Sequence, residues 1–168
     1  MASQLLDVFG FLSVLLRGSA LALNSLVWGG VLFTAWVLRP FPQGPRTDAI
    51  WNSCRKLIGW SAIGLVFVQT CFVAADSAIL SGTSSLAFRE IAGANFFVAS
   101  LAAICAAALI AGLTMSTERP GPLLLLPAGI AVSALVTMSH AAARLEYRPE
   151  LYLLTAVHQA ATASWVGG

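Results

Sequence analysis

His140 and His158 are the residues best suited to chemistry, and they are the only two histidines in the 168-residue sequence. Each lies in an apolar run long enough to form a membrane helix, and a short charged connection separates the runs. Helices joined this tightly lie antiparallel and adjacent. At about 1.5 Å rise per residue, the two imidazoles fall within one or two helical turns of the same depth. A facing pair of imidazoles inside a membrane predicts a metal or haem site.

The type of ligand stays open between copper and haem b. Cu(I) favours thioether and imidazole donors, and Met138 lies two residues before His140. On a regular helix that spacing turns Met138 about 200° away, so it joins the site only if the helix is distorted, and ordinary packing is its alternative role. Haem b held between the two histidines needs a cleft lined by small residues. Candidates for that cleft are Ala141, Ala142, Ala160, Ala161 and Ala163.

Asp76 and Asn95 are further polar residues within apolar runs. An ionisable group in hydrocarbon costs at least about 2.5 kcal/mol, so each such group needs a partner or a function. We expect both side chains in the outer leaflet, where they and Met138 and Gln159 would orient the imidazoles or admit the ligand. The alternative for Asp76 and Asn95 is solvation at the membrane surface.

The composition predicts an integral membrane protein. Hydrophobic residues make up 58% of the chain and charged residues only 10%, whereas soluble domains carry about 25% charged residues. The net charge of +2 is small, and no basic cluster indicates nucleic acid binding. Three scattered cysteines form neither a disulfide framework nor a zinc motif. The chain also lacks the motifs of known catalytic sites, so we expect no enzyme.

We predict an all-α fold, a polytopic transmembrane helix bundle that forms a single domain over residues 1–168. It would have about five spans and a short N-terminal surface helix over residues 3–16, divided from the first span at Arg17-Gly18-Ser19. One long tilted helix is the alternative to that division. The predicted spans cover residues 18–38, 57–80, 90–115, 123–143 and 151–168.

The positive-inside rule predicts the orientation of the bundle. The loop from Arg39 to Lys56 is the most basic in the chain and should be cytoplasmic, which makes the N-terminus periplasmic. The last span stops at Trp165-Val166-Gly167-Gly168 without a polar tail. That abrupt stop predicts a fragment of a longer chain, or a protein shorter than its relatives.

Two segments carry a resemblance to a known family. Ser139-His140-Ala141-Ala142 is followed, after a short polar loop, by a helix with Leu154, His158-Gln159 and Trp165-Val166-Gly167-Gly168. This pattern resembles the copper-resistance D (CopD) family of bacterial inner-membrane proteins, and Gly29-Gly30-x-x-Phe33 in the first span also fits. Family members usually have about eight spans, so the chain is similar to their N-terminal part.

The resemblance implies copper binding and copper uptake from the periplasm, with His140 and His158 as ligands. The implied partners are the lipid bilayer and a periplasmic copper carrier or other membrane subunits. Two alternatives stay open: a haem b electron-transfer subunit that uses the same histidines as axial ligands, and a structural subunit of a larger membrane complex.

Overall fold

The computed structural model describes residues 2–84, 88–139 and 147–167, and every regular element within these ranges is a helix. The prediction of an all-α helical bundle is confirmed. Sheets need paired strands, whereas each helix satisfies its own backbone hydrogen bonds, as an apolar surrounding requires.

The first helix, α1, is continuous from Ala2 to Leu32 and then widens into a π-helical segment, Phe33–Leu38. The predicted break at Arg17-Gly18-Ser19, and with it the separate surface helix over residues 3–16, is wrong. A single glycine costs a helix only about 1 kcal/mol, and Ala20 immediately afterwards is buried in the bundle. The alternative of one long helix matches the structure.

The second helix, α2, runs from Pro45 to Ser84 and is far longer than the predicted span. Proline is well suited to a first helical position because its missing N–H has no partner there. Much of the basic segment before Leu57 is therefore helical rather than a loop.

A short helix, α3 (Phe88–Ala92), precedes α4 (Asn95–Ser116). The third predicted span was one helix from residue 90, but the structure interrupts it at Gly93-Ala94, where Ala94 has an extended backbone. Helix α4 therefore begins at Asn95.

The next segment starts with a 3-10 turn, Gly121–Leu124, and continues as α5 (Leu125–Thr137). The N–H groups of Met138 and Ser139 bond back to the carbonyls of Ala134 and Val136, which closes the helix. The predicted fourth span reached residue 143, six residues beyond the end of α5, and residues 140–146 lie outside the described part of the chain. Helix α6 (Arg148–Gly167) then begins three residues before the predicted fifth span.

Neighbouring helices in the chain pack antiparallel. Gly30 of α1 faces Ile58 of α2, while Arg17, more than three turns earlier, faces Phe72. The same reversal relates α2 to α4, since Gly59 of α2 meets Thr114 near the end of α4. Two core clusters of aliphatic and alanine side chains fill the centre of this arrangement.

Helices α4, α5 and α6 continue the up-and-down order. Ser100 of α4 contacts Met138 after α5, and Thr137 of α5 is 2.6 Å from the hydroxyl of Tyr152 in α6. Helix α6 then returns beside α1, with which it is parallel. The bundle is therefore closed by a contact between helices that are distant in sequence.

The contact between α1 and α6 depends on glycine. A Cβ atom added to Gly29 would overlap the Cα and carbonyl carbon of Gly167, and one added to Gly167 would overlap the carbonyl oxygen of Ser25. Small residues let helix backbones approach this closely within membranes, where van der Waals packing drives association.

Three described helical segments are long and apolar enough to cross a membrane: Gly10–Leu38, Pro45–Thr83 and Asn95–Ser116. The helical segment Gly121–Thr137 is apolar but shorter. These lengths indicate a membrane protein. The count of about five spans stays a prediction.

Replacing Gly29 by alanine should destabilise the bundle, because the new methyl group meets backbone atoms that cannot rotate away. We expect a loss of about 1–3 kcal/mol, as in other overpacked cores. The measurement is the thermal unfolding midpoint of the purified protein in detergent.

The matched control is Gly112→Ala in α4, where an added Cβ meets nothing within 4 Å. That variant should be neutral or slightly stabilising, because alanine favours helices by up to about 1 kcal/mol over glycine. Equal midpoints for the two variants would contradict the close contact between α1 and α6.

Candidate functional site

The structure describes only one of the two predicted ligands, His158. His158 lies on α6 with its side chain exposed, whereas His140 falls in residues 140–146, outside the described part of the chain. Whether the two imidazoles face each other is therefore still a prediction. The residues next to them, Ser139 and Gln159, are described and give the surroundings of the site.

A cavity of about 200 Å³ lies where α1, α2, α5 and α6 meet, at the end of the bundle that carries Arg17. Its apolar wall consists of leucine and alanine side chains and the ring of Phe72. Five further residues give the wall its chemistry. They are Arg17, Gln69, Met138, Ser139 and Gln159.

The uncharged polar groups of this cavity are buried. Gln69 is only 1% exposed. The hydroxyl of Ser139 and the side-chain carbonyl of Gln159 are also buried, and neither has a hydrogen-bond partner in the described structure. A buried polar atom without a partner costs about 1–3 kcal/mol. Such groups therefore indicate a place that takes up water or a polar ligand.

Met138 contributes a thioether to the same wall. Its sulfur accepts a hydrogen bond from the hydroxyl of Ser100 at 3.0 Å, which holds the flexible side chain between α4 and α5. The helical-wheel argument that turned Met138 away from the site assumed a helix running past it. Helix α5 ends at Thr137 instead, so the argument does not apply.

Arg17 brings a positive charge to the cavity. Its guanidinium carbon lies 5.2 Å from the centre of the Phe72 ring, within the range of a cation–π contact. Asp76, one turn further along α2, is half-buried and close enough to interact with Arg17 electrostatically. Asp76 does not line the cavity itself.

The structure separates the predicted supporting residues into two places. Met138 and Gln159 both line the cavity wall, and Asp76 lies close enough to Arg17 to interact with it electrostatically. Asn95 instead lines a wide, mostly apolar groove between α4 and α5, and its side chain is exposed. Asn95 therefore lies apart from Met138 and Gln159, and a supporting role for any of these residues at the imidazoles stays a prediction.

Sequence reasoning missed Gln69 and Arg17 as site residues. An amide within an otherwise apolar run was a signal available for Gln69, because such residues usually face the bundle interior. Arg17 was predicted to lie at a break between two helices. Its contact with Phe72 of α2 was therefore not expected. Its place beside Phe72 depends on α1 being continuous through Gly18.

The described residues provide no ready metal cage. Among them no three histidine, cysteine, aspartate or glutamate side chains lie close enough to hold an ion. The cysteines are free, and Cys105 is exposed. The predicted ligand His140 lies outside the described residues, so the predicted pair with His158 is not part of that search.

Comparison with known proteins gives no assignment, because no family model, no curated protein and no solved structure matches the chain. The resemblance to the CopD family therefore remains a prediction from the quoted motifs.

Gln159→Leu should stabilise the protein, because it removes a buried carbonyl that has no partner and adds an apolar side chain to the cavity wall. We expect a gain of about 1 kcal/mol, measured as a higher unfolding midpoint in detergent. The matched control is Gln43→Leu, at an exposed position of the connection before α2, which should leave the midpoint unchanged. A marked fall for Gln159→Leu would show that this amide is bonded in the folded protein.

Proposed function

We propose that the protein binds copper at the Arg17 end of the bundle and takes part in copper uptake across a bacterial inner membrane. One observation supports this most strongly. Ser139 and Gln159, the direct neighbours of the two histidines, line the same cavity. The chain segments that carry both imidazoles therefore converge at one place.

We expect the two histidines to lie at similar depth, because each is the direct neighbour of a residue in the cavity wall. Adjacent residues on a helix differ by about 1.5 Å along the axis, so His158 lies near the level of Gln159, and His140 follows directly after Ser139. The exposed position of His158 on α6 suits a ligand that first meets copper at the protein surface. A periplasmic copper carrier could deliver the ion there.

The cavity beside Ser139 and Gln159 contains one soft donor of the kind that Cu(I) prefers. The thioether of Met138 is a soft ligand, and the amides of Gln69 and Gln159 offer neutral oxygen atoms. Asp76 reduces the repulsion that Arg17 would exert on a cation. These features support a path from the surface into the bundle.

The proposed orientation places this cavity at the periplasmic side. Arg39, Arg46, Arg55 and Lys56 gather near the opposite end, which the positive-inside rule assigns to the cytoplasm. Copper would then enter from the periplasm.

The size of the cavity favours a metal ion over haem. Pockets for drug-sized ligands hold about 300–1,000 Å³, and the 200 Å³ described here is smaller. Haem b nevertheless remains a distinct outcome of the test, as does a structural subunit that binds neither.

The test is metal analysis of protein purified in detergent and loaded with Cu(I) under reducing conditions. We expect copper to be retained by the wild type and lost from His140→Ala and from His158→Ala, because each variant removes one imidazole donor. Optical spectra of the protein as isolated give the second readout, since bis-histidine haem has a strong Soret band and Cu(I) is silent.

The control replaces Cys54, Cys71 and Cys105 by serine, because free thiols also bind Cu(I). Copper retained by this variant and lost from the histidine variants supports the proposal. Copper lost with the cysteines alone, or a Soret band that disappears with the histidines, would overturn it. Protein that takes up neither copper nor haem would favour the structural subunit.

A further inference from the structure

The opposite end of the bundle contains a second pocket of about 260 Å³, set between α2 and the last turn of α4. It has no residue in common with the cavity beside Arg17. Six residues line it: Arg55, Lys56, Gly59, Trp60, Thr114 and Met115.

Arg55 is held in place at the back of this pocket. One of its terminal nitrogens, Nη1, donates a hydrogen bond to the carbonyl oxygen of Thr114 at 3.0 Å. That carbonyl belongs to the last turn of α4, where the backbone lacks helical donors. The bond therefore fixes the guanidinium group against the helix end.

The remaining side of the guanidinium group lacks an acceptor. Its Nε atom is buried and has no hydrogen-bond partner within the described residues. A charged donor that is buried without a partner is more costly than a neutral one. The pocket therefore needs an acceptor oxygen near Arg55.

The charge of the pocket makes an anion the natural acceptor. Lys56 follows Arg55 directly, and in the described chain neither forms an ion pair with a carboxylate. The described ion pair at this end joins Arg119 to Asp48, whose side chains lie outside the pocket lining. Two neighbouring positive charges are thus left without a counter-charge.

The position of the pocket relates it to the membrane surface. From Leu57 to Ala75 helix α2 carries no charged residue, a length of roughly 28 Å that matches a hydrocarbon core of about 30 Å. Arg55 and Lys56 stand just outside that stretch. Trp60 is 70% exposed and Met115 is 65% exposed, and tryptophan is enriched at the boundary between headgroups and acyl chains.

We propose that this pocket binds the headgroup of an anionic phospholipid. The phosphodiester accepts hydrogen bonds from Arg55 Nε and from the Lys56 ammonium group, and an acyl chain lies along Trp60 and Met115. Basic pockets between membrane helices on the cytoplasmic side commonly hold such headgroups. The lipid would join α2 to the end of α4.

The experiment uses the full chain in nanodiscs made of equal parts phosphatidylcholine and phosphatidylglycerol, released for native mass spectrometry. We expect phosphatidylglycerol to stay bound to the wild type in preference to phosphatidylcholine. Lys56→Gln should weaken this retention about fivefold, because each Lys or Arg near an anionic lipid surface contributes about 1 kcal/mol to binding. Arg55→Gln combined with Lys56→Gln removes two such contributions and should weaken retention by more.

Arg46→Gln is the charge-matched control, since Arg46 lies on the same helix end but outside the pocket. It should leave lipid retention unchanged. Lys56→Gln keeps the hydrogen bond from Arg55 to the carbonyl of Thr114. Any loss of lipid retention in this variant therefore does not come from a changed structure at the end of α4. Unfolding midpoints of all variants, measured in parallel, identify any that fail to fold.

Equal retention of both lipids by the wild type, or equal losses from Arg46→Gln and Lys56→Gln, would overturn the proposal. A titration with inorganic phosphate tests a soluble source of the same anion. If phosphate alone protects the wild type against unfolding through Arg55 and Lys56, while phosphatidylglycerol is not retained, the ligand is a soluble phosphate and the lipid assignment fails.

Discussion

The close contact between Gly29 and Gly167 positions α6 against α1 at the candidate site. It brings the backbones of α1 and α6 together and fixes their parallel register. With that register Gln159 of α6 reaches the level of Arg17 and Leu21 in α1, where the cavity forms. A larger side chain at either glycine would separate the helices, and the polar groups of the two helices would no longer share one wall.

Much of the fold could be predicted from the sequence because the hydrocarbon limits the choices. Long apolar runs separated by proline, glycine and charged residues can only form helices in such a solvent. The positions of the helix ends were harder to predict. A glycine that did not interrupt α1 and a polar segment that extended α2 at its start both show that tertiary packing overrides local signals.

The candidate site was predictable only in part, since side-chain direction depends on where each helix ends. The direction expected for Met138 assumed that the helix continues to His140, but α5 ends at Thr137 and Met138 lines the cavity. Gln159 lines the same cavity, and its role at the imidazoles stays a prediction. Arg17 was not predicted as a site residue but lines the cavity, whereas Asn95 was predicted as one but lines a separate groove.

The pairing of α1 with α6 also has a consequence for how the protein is assembled. Helix α1 is synthesised before α6, so the surface around Ser25 and Gly29 finds its partner only after α6 has been made. In the interval that surface lacks the backbone contact that α6 provides in the folded protein. Contacts between segments far apart in sequence form late and slowly. The contact between α1 and α6, which completes the bundle, is therefore a late step of assembly. Until it forms, a newly made chain is open to wrong helix pairing and to degradation.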